Sequence, residues 1–262
     1  MGAKLGTSVN QARAFLAAVQ FLTRIPVPSL GRDSDEAAAA LRRGEAYIPL
    51  VGGLVGLSTA GVILAASYVW TPWLAVVLGL AWEAWLTGAL HEDAVADFCD
   101  AFGGGWTKEE VLDILKDSRV GSFGTVGLGL ALLLRAGTLA CLSSIDLLAA
   151  GAASGALGRW LSQPLMALVP PVADRPSLAR DLGQTLTGRE VLLGLLAAGP
   201  AVLAFGLLNP LRLAAALAGM ALFLCWLVPY LRSRLGGVTG DCLGFACYAG
   251  QLMVLLAASA GR

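Results

Sequence analysis

The residues best suited to chemistry lie in one stretch of eleven, LHEDAVADFCD at 90–100, which holds the only histidine of the chain and four carboxylates. On a helix, Asp93, Asp97 and Asp100 follow the spacing i, i+4, i+7 and fall on one face within about 60° of each other. Like charges stacked this way destabilise a bare helix, whereas carboxylate oxygens on one face suit a cation such as Mg²⁺. The stretch therefore predicts a Mg²⁺ site, with Glu92 as a weaker ligand because it points about 100° away. A solvated acidic cap at the end of a membrane helix is the alternative.

A second charged cluster comprises Asp113, Lys116, Asp117, Ser118 and Arg119. Thr107 followed by Glu110 matches a capping box, which predicts a helix that begins there and carries Asp113 and Asp117 at i, i+4. Lys116 and Arg119 are suited to clamp a phosphate, and arginine does so with two parallel hydrogen bonds. An interfacial helix with ordinary salt bridges is the alternative.

A third polar segment, GGVTGD at 236–241, follows a long apolar run. Glycine lets backbone N–H groups approach an anion, so this loop is a candidate for phosphate contact. Asp241 is then a candidate ligand of the same Mg²⁺ site. Taken alone, the segment is like many other loops.

Three ionisable residues, Glu83, Arg135 and Arg159, fall inside apolar runs, where charges are costly and indicate function. Each arginine is expected either to reach a phosphate in a polar cavity or to pair with Glu83. Together with the three polar segments, they predict metal-assisted phosphoryl transfer, in which carboxylates hold the cation and arginine and lysine neutralise phosphate oxygens. The chain has no Walker A sequence, which excludes a P-loop NTPase.

These residues are embedded in a chain too apolar for a soluble protein. Of its 262 residues, 57% are hydrophobic and 14% are charged, whereas soluble domains have about 25% charged residues. The composition predicts an all-α integral membrane protein in which 1–262 form a single polytopic membrane domain. Residues 47–262 are expected to form the helical bundle, and 1–46 an amphipathic interfacial segment with a charged cytoplasmic loop. The formal net charge of zero gives no indication of a nucleic-acid partner.

Seven apolar stretches are long enough to cross a bilayer, for which about 20 residues suffice. They are 47–70, 72–90, 121–143, 147–169, 191–208, 211–231 and 243–260. Long charged connections alternate with very short ones, and 14 of the 18 Lys and Arg residues lie on the side of the long connections. The positive-inside rule predicts that this side is cytoplasmic. We therefore expect about seven transmembrane helices with short amphipathic cytoplasmic helices, and a one-sided polar site that favours an enzyme over a transporter.

The chain resembles the cobalamin synthase family, adenosylcobinamide-GDP ribazoletransferase, over nearly its whole length. The segments that carry the resemblance occur in the family's order and are FLTRIPVP (21–28), IPLVGGLVG (48–56), TGALHEDAVADFCDAFGGG (87–105), ILKDSRVGSFG (114–124) and LGGVTGDCLG (235–244). The resemblance implies a Mg²⁺-dependent enzyme of the prokaryotic inner membrane with its active site towards the cytoplasm. A hydroxyl of α-ribazole, or of its 5′-phosphate, would attack the cobinamide-side phosphate of adenosylcobinamide-GDP. GMP would leave, and adenosylcobalamin or its 5′-phosphate would result.

The resemblance also implies roles for individual residues. The expected metal ligands are Glu92, Asp93, Asp97, Asp100 and Asp241. Catalytic roles are expected for Asp93, Asp97, Asp117 and Arg119. Phosphate or substrate binding is expected for Lys116, Ser118, Arg135, Arg159, Thr239 and Gly240. Besides the substrates and membrane lipid, the expected partners are a second copy of the chain or other enzymes of the cobalamin pathway.

Two positions depart from the family pattern. Ala94 stands where glycine is usual; alanine is tolerable there if the position is plain helix, but it would obstruct a close backbone approach by ligand. Gln251 stands where glutamate is common and lacks its negative charge. The nearest alternative is an enzyme of the CDP-alcohol phosphotransferase type, but its D-G-x-x-A-R signature is absent after Asp93. A cation-binding transporter is a further alternative, although the chain has no obvious inverted repeat.

Overall fold

The computed structural model describes residues 11–28, 34–172 and 186–261, and throughout these ranges the regular structure is helical. The predicted all-α membrane fold is therefore confirmed. Of the predicted interfacial segment 1–46, residues 1–10 and 29–33, which include Lys4 and Arg32, lie outside the described residues. Arg175, Arg180 and Arg262 lie outside them as well.

The described ranges contain helices that account for all seven apolar stretches. They are α1 (Gln11–Leu22), α2 (Ser34–Gly44), α3 (Ile48–Ala66), α4 (Pro72–Thr87), α5 (Leu90–Gly104), α6 (Lys108–Ile114), α7 (Ser122–Ala140), α8 (Ser144–Leu168), α9 (Gly188–Leu208), α10 (Pro210–Arg234) and α11 (Gly240–Ser259). A 3₁₀ turn at Glu45–Tyr47 joins α2 to α3. Within the described ranges, five helical stretches are long and apolar enough to cross a membrane, or six if α4 and α5 count as one bent span. The expected seven exceeds the number that length and hydropathy support.

Helix α8 lies at the centre of the bundle, packed against α3, α9 and α11. Glycines make the contact with α3 close. A Cβ on Gly56 would lie 2.1 Å from the carbonyl oxygen of Gly151, and a Cβ on Gly155 would lie 2.2 Å from that of Gly52. Small residues of this kind allow the backbones of two membrane helices to touch. Most residues of α8 are therefore buried inside the bundle.

The long connections gather at one end of the bundle, which we call the loop face. There Arg232 donates to the carbonyl of Leu168, Arg234 donates to the carbonyl of Gly105, and Val172 bonds to the backbone of Val238. At the opposite end the connections are short, and Asn209 donates to the carboxylate of Asp146 at 2.9 Å. The acidic helix α5 belongs to the loop face.

The chain turns sharply between α4 and α5. Gly88 (φ 71°) and Ala89 (φ 57°) both adopt the left-handed conformation, which ends α4, and α5 sets off at 91° to it. Asp93, Asp97 and Asp100 therefore lie on a helix separate from α4, and their i, i+4, i+7 spacing is kept within α5. The backbone N–H of Arg24 donates to the carbonyl of Leu86 at 2.7 Å and fastens the segment after α1 to this turn.

The capping box of α6 is confirmed, because Thr107 accepts from the N–H of Glu110 and Glu110 accepts from that of Thr107. The helix is shorter than predicted, since it ends at Ile114 and leaves Asp117 in the following loop. The reason is local: the carboxylate of Asp117 accepts the backbone N–H of Arg119 at 3.1 Å. Such a bond competes with the helical pattern.

Candidate active site

Carboxylates from two helices meet on the loop face. Asp93 and Asp97 project from α5, and Asp241 lies in the first turn of α11. The carboxylate of Asp97 interacts electrostatically with those of Asp93, Asp241 and Asp100. Asp97 is half-buried and Asp93 is exposed. We call Asp93, Asp97 and Asp241 the acidic cluster; its like charges repel unless a cation or a proton is bound.

The position of α5 is fixed by its contact with α11. The ring of Phe98 stacks on that of Phe245 with centroids 3.8 Å apart. One turn earlier, Ala94 is buried against Gly244, where an added Cβ would lie 2.4 Å from the Cβ of Ala94. The departure at position 94 is thus accommodated by helix packing, because the methyl group of Ala94 points at α11.

Asp100 binds α5 to the start of α7. Its two carboxylate oxygens accept the backbone N–H groups of Gly121 and Gly124, each at 2.7 Å. These N–H groups at the N-terminus of α7 have no partner within that helix, so the carboxylate caps it. Asp100 therefore has a structural role in addition to its electrostatic contact with Asp97, and its expected role as a metal ligand stays a prediction.

The loop that follows α6 carries exposed charges. Arg119 donates to both carboxylate oxygens of Asp117, and Lys116 lies 3.1 Å from Asp113. The hydrogen bonds from Arg119 lower the pKa of Asp117 to about 2. Asp117 is thus ionised and paired with Arg119, whose side chain is nevertheless 87% exposed. Ser118 is also exposed.

The segment GGVTGD forms the start of α11. Thr239 is buried, and its hydroxyl accepts from the backbone N–H of Cys242 at 3.4 Å, as an N-cap does. Gly240 is the exposed first residue of the helix, next to Asp241. A helix N-terminus favours an anion through its unpaired N–H groups. The segment lies beside Asp241 of the acidic cluster, and its contact with an anion stays a prediction.

A buried ionic network lies behind α5. Glu83 accepts from Arg135 at 2.5 Å and from the hydroxyl of Thr59 at 2.8 Å, and it lies 3.6 Å from Arg159. Glu83 is 2% exposed, Arg135 is 3% exposed and Arg159 is 1% exposed. Of the two expectations for the arginines, the structure realises the pairing with Glu83. The Nε and Nη2 atoms of Arg159 have no hydrogen-bond partner.

Arg135 connects this network to the acidic helix, because its Nη1 atom lies 3.4 Å from the carboxylate of Glu92. The same guanidinium lies over the ring of Tyr248, 5.4 Å from the centroid. The sequence interpretation did not single out Tyr248 or Thr59. Tyr248 follows Asp241 by seven residues, a spacing that returns to the same helix face and was available as a signal. His91 is buried and interacts electrostatically with both arginines and Glu83.

The acidic cluster provides the oxygen ligands that Mg²⁺ prefers. In the part of the chain that the structure describes, no three His, Cys, Asp or Glu side chains lie close enough to surround a metal ion. Mg²⁺ binds through one or two carboxylates completed by water and phosphate oxygens, and the donor set fits that mode.

Gln251 is buried against Gly158 of α8, and neither end of its amide has a hydrogen-bond partner.

Comparisons with known proteins agree on one family. The family model described as cobalamin-5-phosphate synthase matches residues 14–259. A protein of Leptothrix cholodnii named adenosylcobinamide-GDP ribazoletransferase is 38% identical over 260 residues, which cover 97% of each chain. Proteins of the same name from Ralstonia nicotianae and Vibrio cholerae are 37% and 36% identical, with 93% and 94% of this chain covered and 93% of each relative. No solved structure gives a significant match.

Proposed function

Because this chain belongs to the cobalamin-5-phosphate synthase family, we propose that it joins adenosylcobinamide-GDP to α-ribazole or α-ribazole 5′-phosphate in a Mg²⁺-dependent reaction. The family and the names of its relatives identify it as a transferase of cobalamin biosynthesis. Membership favours this activity over a CDP-alcohol phosphotransferase or a transporter. Beyond the family's activity, we propose the identity of the acceptor and the dependence on Mg²⁺.

The reaction is a displacement at phosphorus. A ribazole hydroxyl forms a new P–O bond to the cobinamide-side phosphorus, and the bond from that phosphorus to the oxygen bridging the diphosphate breaks. GMP leaves with the bridging oxygen and its electron pair. The hydroxyl proton passes to a base, for which we propose a carboxylate of the acidic cluster. The product is adenosylcobalamin or its 5′-phosphate, according to the acceptor.

One or two of the carboxylates of Asp93, Asp97 and Asp241 would hold Mg²⁺ on the loop face, together with water and phosphate oxygens. The chemistry that the ion supplies when bound is neutralisation of the charge on the diphosphate and the leaving phosphate. The exposed Arg119 and Lys116 contribute positive charge from the loop, and Gly240 contributes backbone N–H donors. Asp100 and the contact between Phe98 and Phe245 keep α5 in register, so that the carboxylates are held before the substrates arrive.

We further propose that the loop face lies on the cytoplasmic side of the inner membrane. The supporting observation is the bias of Lys and Arg residues to this face. Charged nucleotide substrates then reach the acidic cluster directly from the cytoplasm. In a variant whose native cysteines are replaced, a cysteine introduced at the exposed Ser118 should react with a membrane-impermeant maleimide only in inside-out vesicles. Labelling in right-side-out vesicles would contradict the assignment.

The placement of the site is carried by one observation: α5, with Asp93 and Asp97, packs against α11, which begins beside Asp241. The test is a transferase assay on purified protein in detergent, with adenosylcobinamide-GDP and either acceptor, with and without Mg²⁺. GMP release and corrinoid product are measured for the wild type, for Asp97→Asn and for Asp146→Asn. Asp146 lies at the opposite end of the bundle and provides the matched control.

We expect Mg²⁺-dependent product from the wild type and the Asp146→Asn variant, and a loss of about 100-fold or more in Asp97→Asn. Activity in a chelator without Mg²⁺ that equals the activity with Mg²⁺ would contradict the metal dependence. Full activity in Asp97→Asn would contradict the placement of the site. Absence of product from folded wild-type protein with both acceptors in the presence of Mg²⁺ would contradict the substrate assignment.

A further inference from the structure

A polar cavity lies on the loop face and is formed by other helices than those that carry the acidic cluster. It is formed where the end of α2 and the 3₁₀ turn meet the start of α9, and its volume is about 540 Å³. Its charged lining consists of Arg42, Arg43 and Arg189 with Glu45 and Glu190. The three guanidinium groups are exposed, and they exceed the carboxylates by one positive charge. We call it the arginine pocket.

The two carboxylates of the arginine pocket differ in their hydrogen bonding. Glu190 accepts from the backbone N–H of Thr187 in the capping box of α9, which occupies one of its oxygens. Glu45 is 3% exposed and interacts electrostatically with Arg42 and Glu190. Its Oε1 atom has no hydrogen-bond partner. A buried acceptor without a donor lowers the stability of the fold, so we expect this atom to accept a hydrogen bond from a ligand hydroxyl or a water molecule.

An apolar groove continues from the arginine pocket along the membrane-facing side of the bundle. It has a volume of about 340 Å³ and is walled by α3, α8 and α9, and Ala197 lines both cavities. On α9 its lining recurs at Ala197, Ala201, Ala204 and Leu208, the spacing of one helix face. The small residues leave space between the helices, and Leu54 and Leu57 at the rim are 50% and 43% exposed.

The combination has the chemistry of a phospholipid. Arginine binds phosphate oxygens with charge-assisted hydrogen bonds, and basic pockets between membrane helices bind anionic headgroups. The groove below the pocket is wholly apolar in its lining and opens towards the region of the lipid chains, which suits an acyl chain. A free phosphate would use the arginines but would leave the groove without a function.

We propose that the arginine pocket and the groove bind one anionic phospholipid of the loop-face leaflet. The phosphate contacts Arg42, Arg43 and Arg189, a headgroup hydroxyl reaches Glu45, and one acyl chain lies between α3 and α9. Phosphatidylglycerol has both the negative charge and the free hydroxyls that this arrangement requires. Because the lipid contacts α3 and α8, which also carry Gly52 and Arg159, it supports the helix pair that encloses the buried ionic network.

The experiment uses the full chain purified in a neutral detergent. Native mass spectrometry counts retained lipid, and thermal unfolding is followed with added phosphatidylglycerol, phosphatidylcholine of the same acyl chains, or glycerol 3-phosphate. The variants are Arg189→Gln alone and Arg42→Gln/Arg43→Gln/Arg189→Gln, with the exposed Arg13→Gln as the matched control. Ala201→Leu fills the groove, and Ala221→Leu makes the same change on the exposed surface of α10.

We expect one retained phosphatidylglycerol and a rise in unfolding temperature with this lipid only. Binding should weaken about tenfold or more in the triple-arginine variant and measurably in Arg189→Gln and Ala201→Leu, but not in the two controls. Equal retention of phosphatidylcholine, or equal retention of phosphatidylglycerol by wild type and Arg189→Gln, would overturn the proposal. An equal stabilisation by glycerol 3-phosphate would identify a free phosphate site and overturn the assignment to lipid.

Discussion

The guanidinium group of Arg135 donates to Glu83 at 2.5 Å, deep inside a helical bundle in which both side chains are about 3% exposed. Arg135 also approaches Glu92 on α5, so one side chain joins the interior of the bundle to the helix that carries the acidic cluster. Removing one partner of a buried ion pair leaves a charge without compensation. We therefore expect loss of the pair to lower the stability of the fold, apart from any effect on catalysis.

Replacement of Glu83 by Gln should destabilise the protein by about 3–5 kcal/mol, because two buried arginines lose their shared carboxylate. The measurement is reversible unfolding of the purified variant in mixed detergent micelles. Glu109→Gln, an exposed change on α6, should leave stability unchanged. A Glu83→Gln protein as stable as the wild type would show that the arginines find other partners and would refute the assigned role.

Replacement of Asp100 by Asn should lower stability by about 1 kcal/mol, since an amide oxygen can accept only one of the N–H bonds from Gly121 and Gly124. The Mg²⁺ concentration for half-maximal activity should change less than in Asp97→Asn. Asp113→Asn, in an exposed ion pair, is the control. A large rise in the Mg²⁺ requirement with unchanged stability would instead make Asp100 a metal ligand.

Replacement of Gly244 by Ala should destabilise the contact between α5 and α11 by about 1–3 kcal/mol, because its Cβ would lie 2.4 Å from that of Ala94. The double change Ala94→Gly/Gly244→Ala should recover part of the loss, since the two sites share one contact. Gly129→Ala, whose Cβ meets nothing within 4 Å, is the control in α7. Strict additivity of the two single changes would rule out the direct contact.

Addition of Mg²⁺ without substrate should raise the unfolding temperature, because a cation relieves the repulsion of Asp97 by Asp93 and Asp241. A chelator should reverse the shift, and the same ionic strength of NaCl should not reproduce it. Asp241→Asn should reduce the shift, whereas Asp146→Asn should not. A shift of equal size in the Asp241→Asn variant would place the cation elsewhere.

The helices were predictable from sequence because each depends on a contiguous pattern. The apolar runs determine the bundle, and Thr107 with Glu110 determines the start of α6. The turn before α5 was not predictable, since alanine is a strong helix former and the left-handed Ala89 belongs to a turn bonded to the distant segment at Arg24. Asp100 shows the same limit at the site. A carboxylate that caps a helix 21 residues further along has the same appearance in sequence as one that binds metal.

The 91° turn at Gly88 and Ala89 gives two neighbouring helices different directions. With 16 residues, α4 is about 24 Å long, shorter than the hydrocarbon layer of about 30 Å, so changes in bilayer thickness must alter its tilt or thin the lipid around it. Helix α5 is fastened instead to α7 and α11, through Asp100 and Phe98. The turn therefore lets a helix shorter than the bilayer be followed at once by a helix of the loop face, and Arg135 holds the two together through its contacts with Glu83 and Glu92.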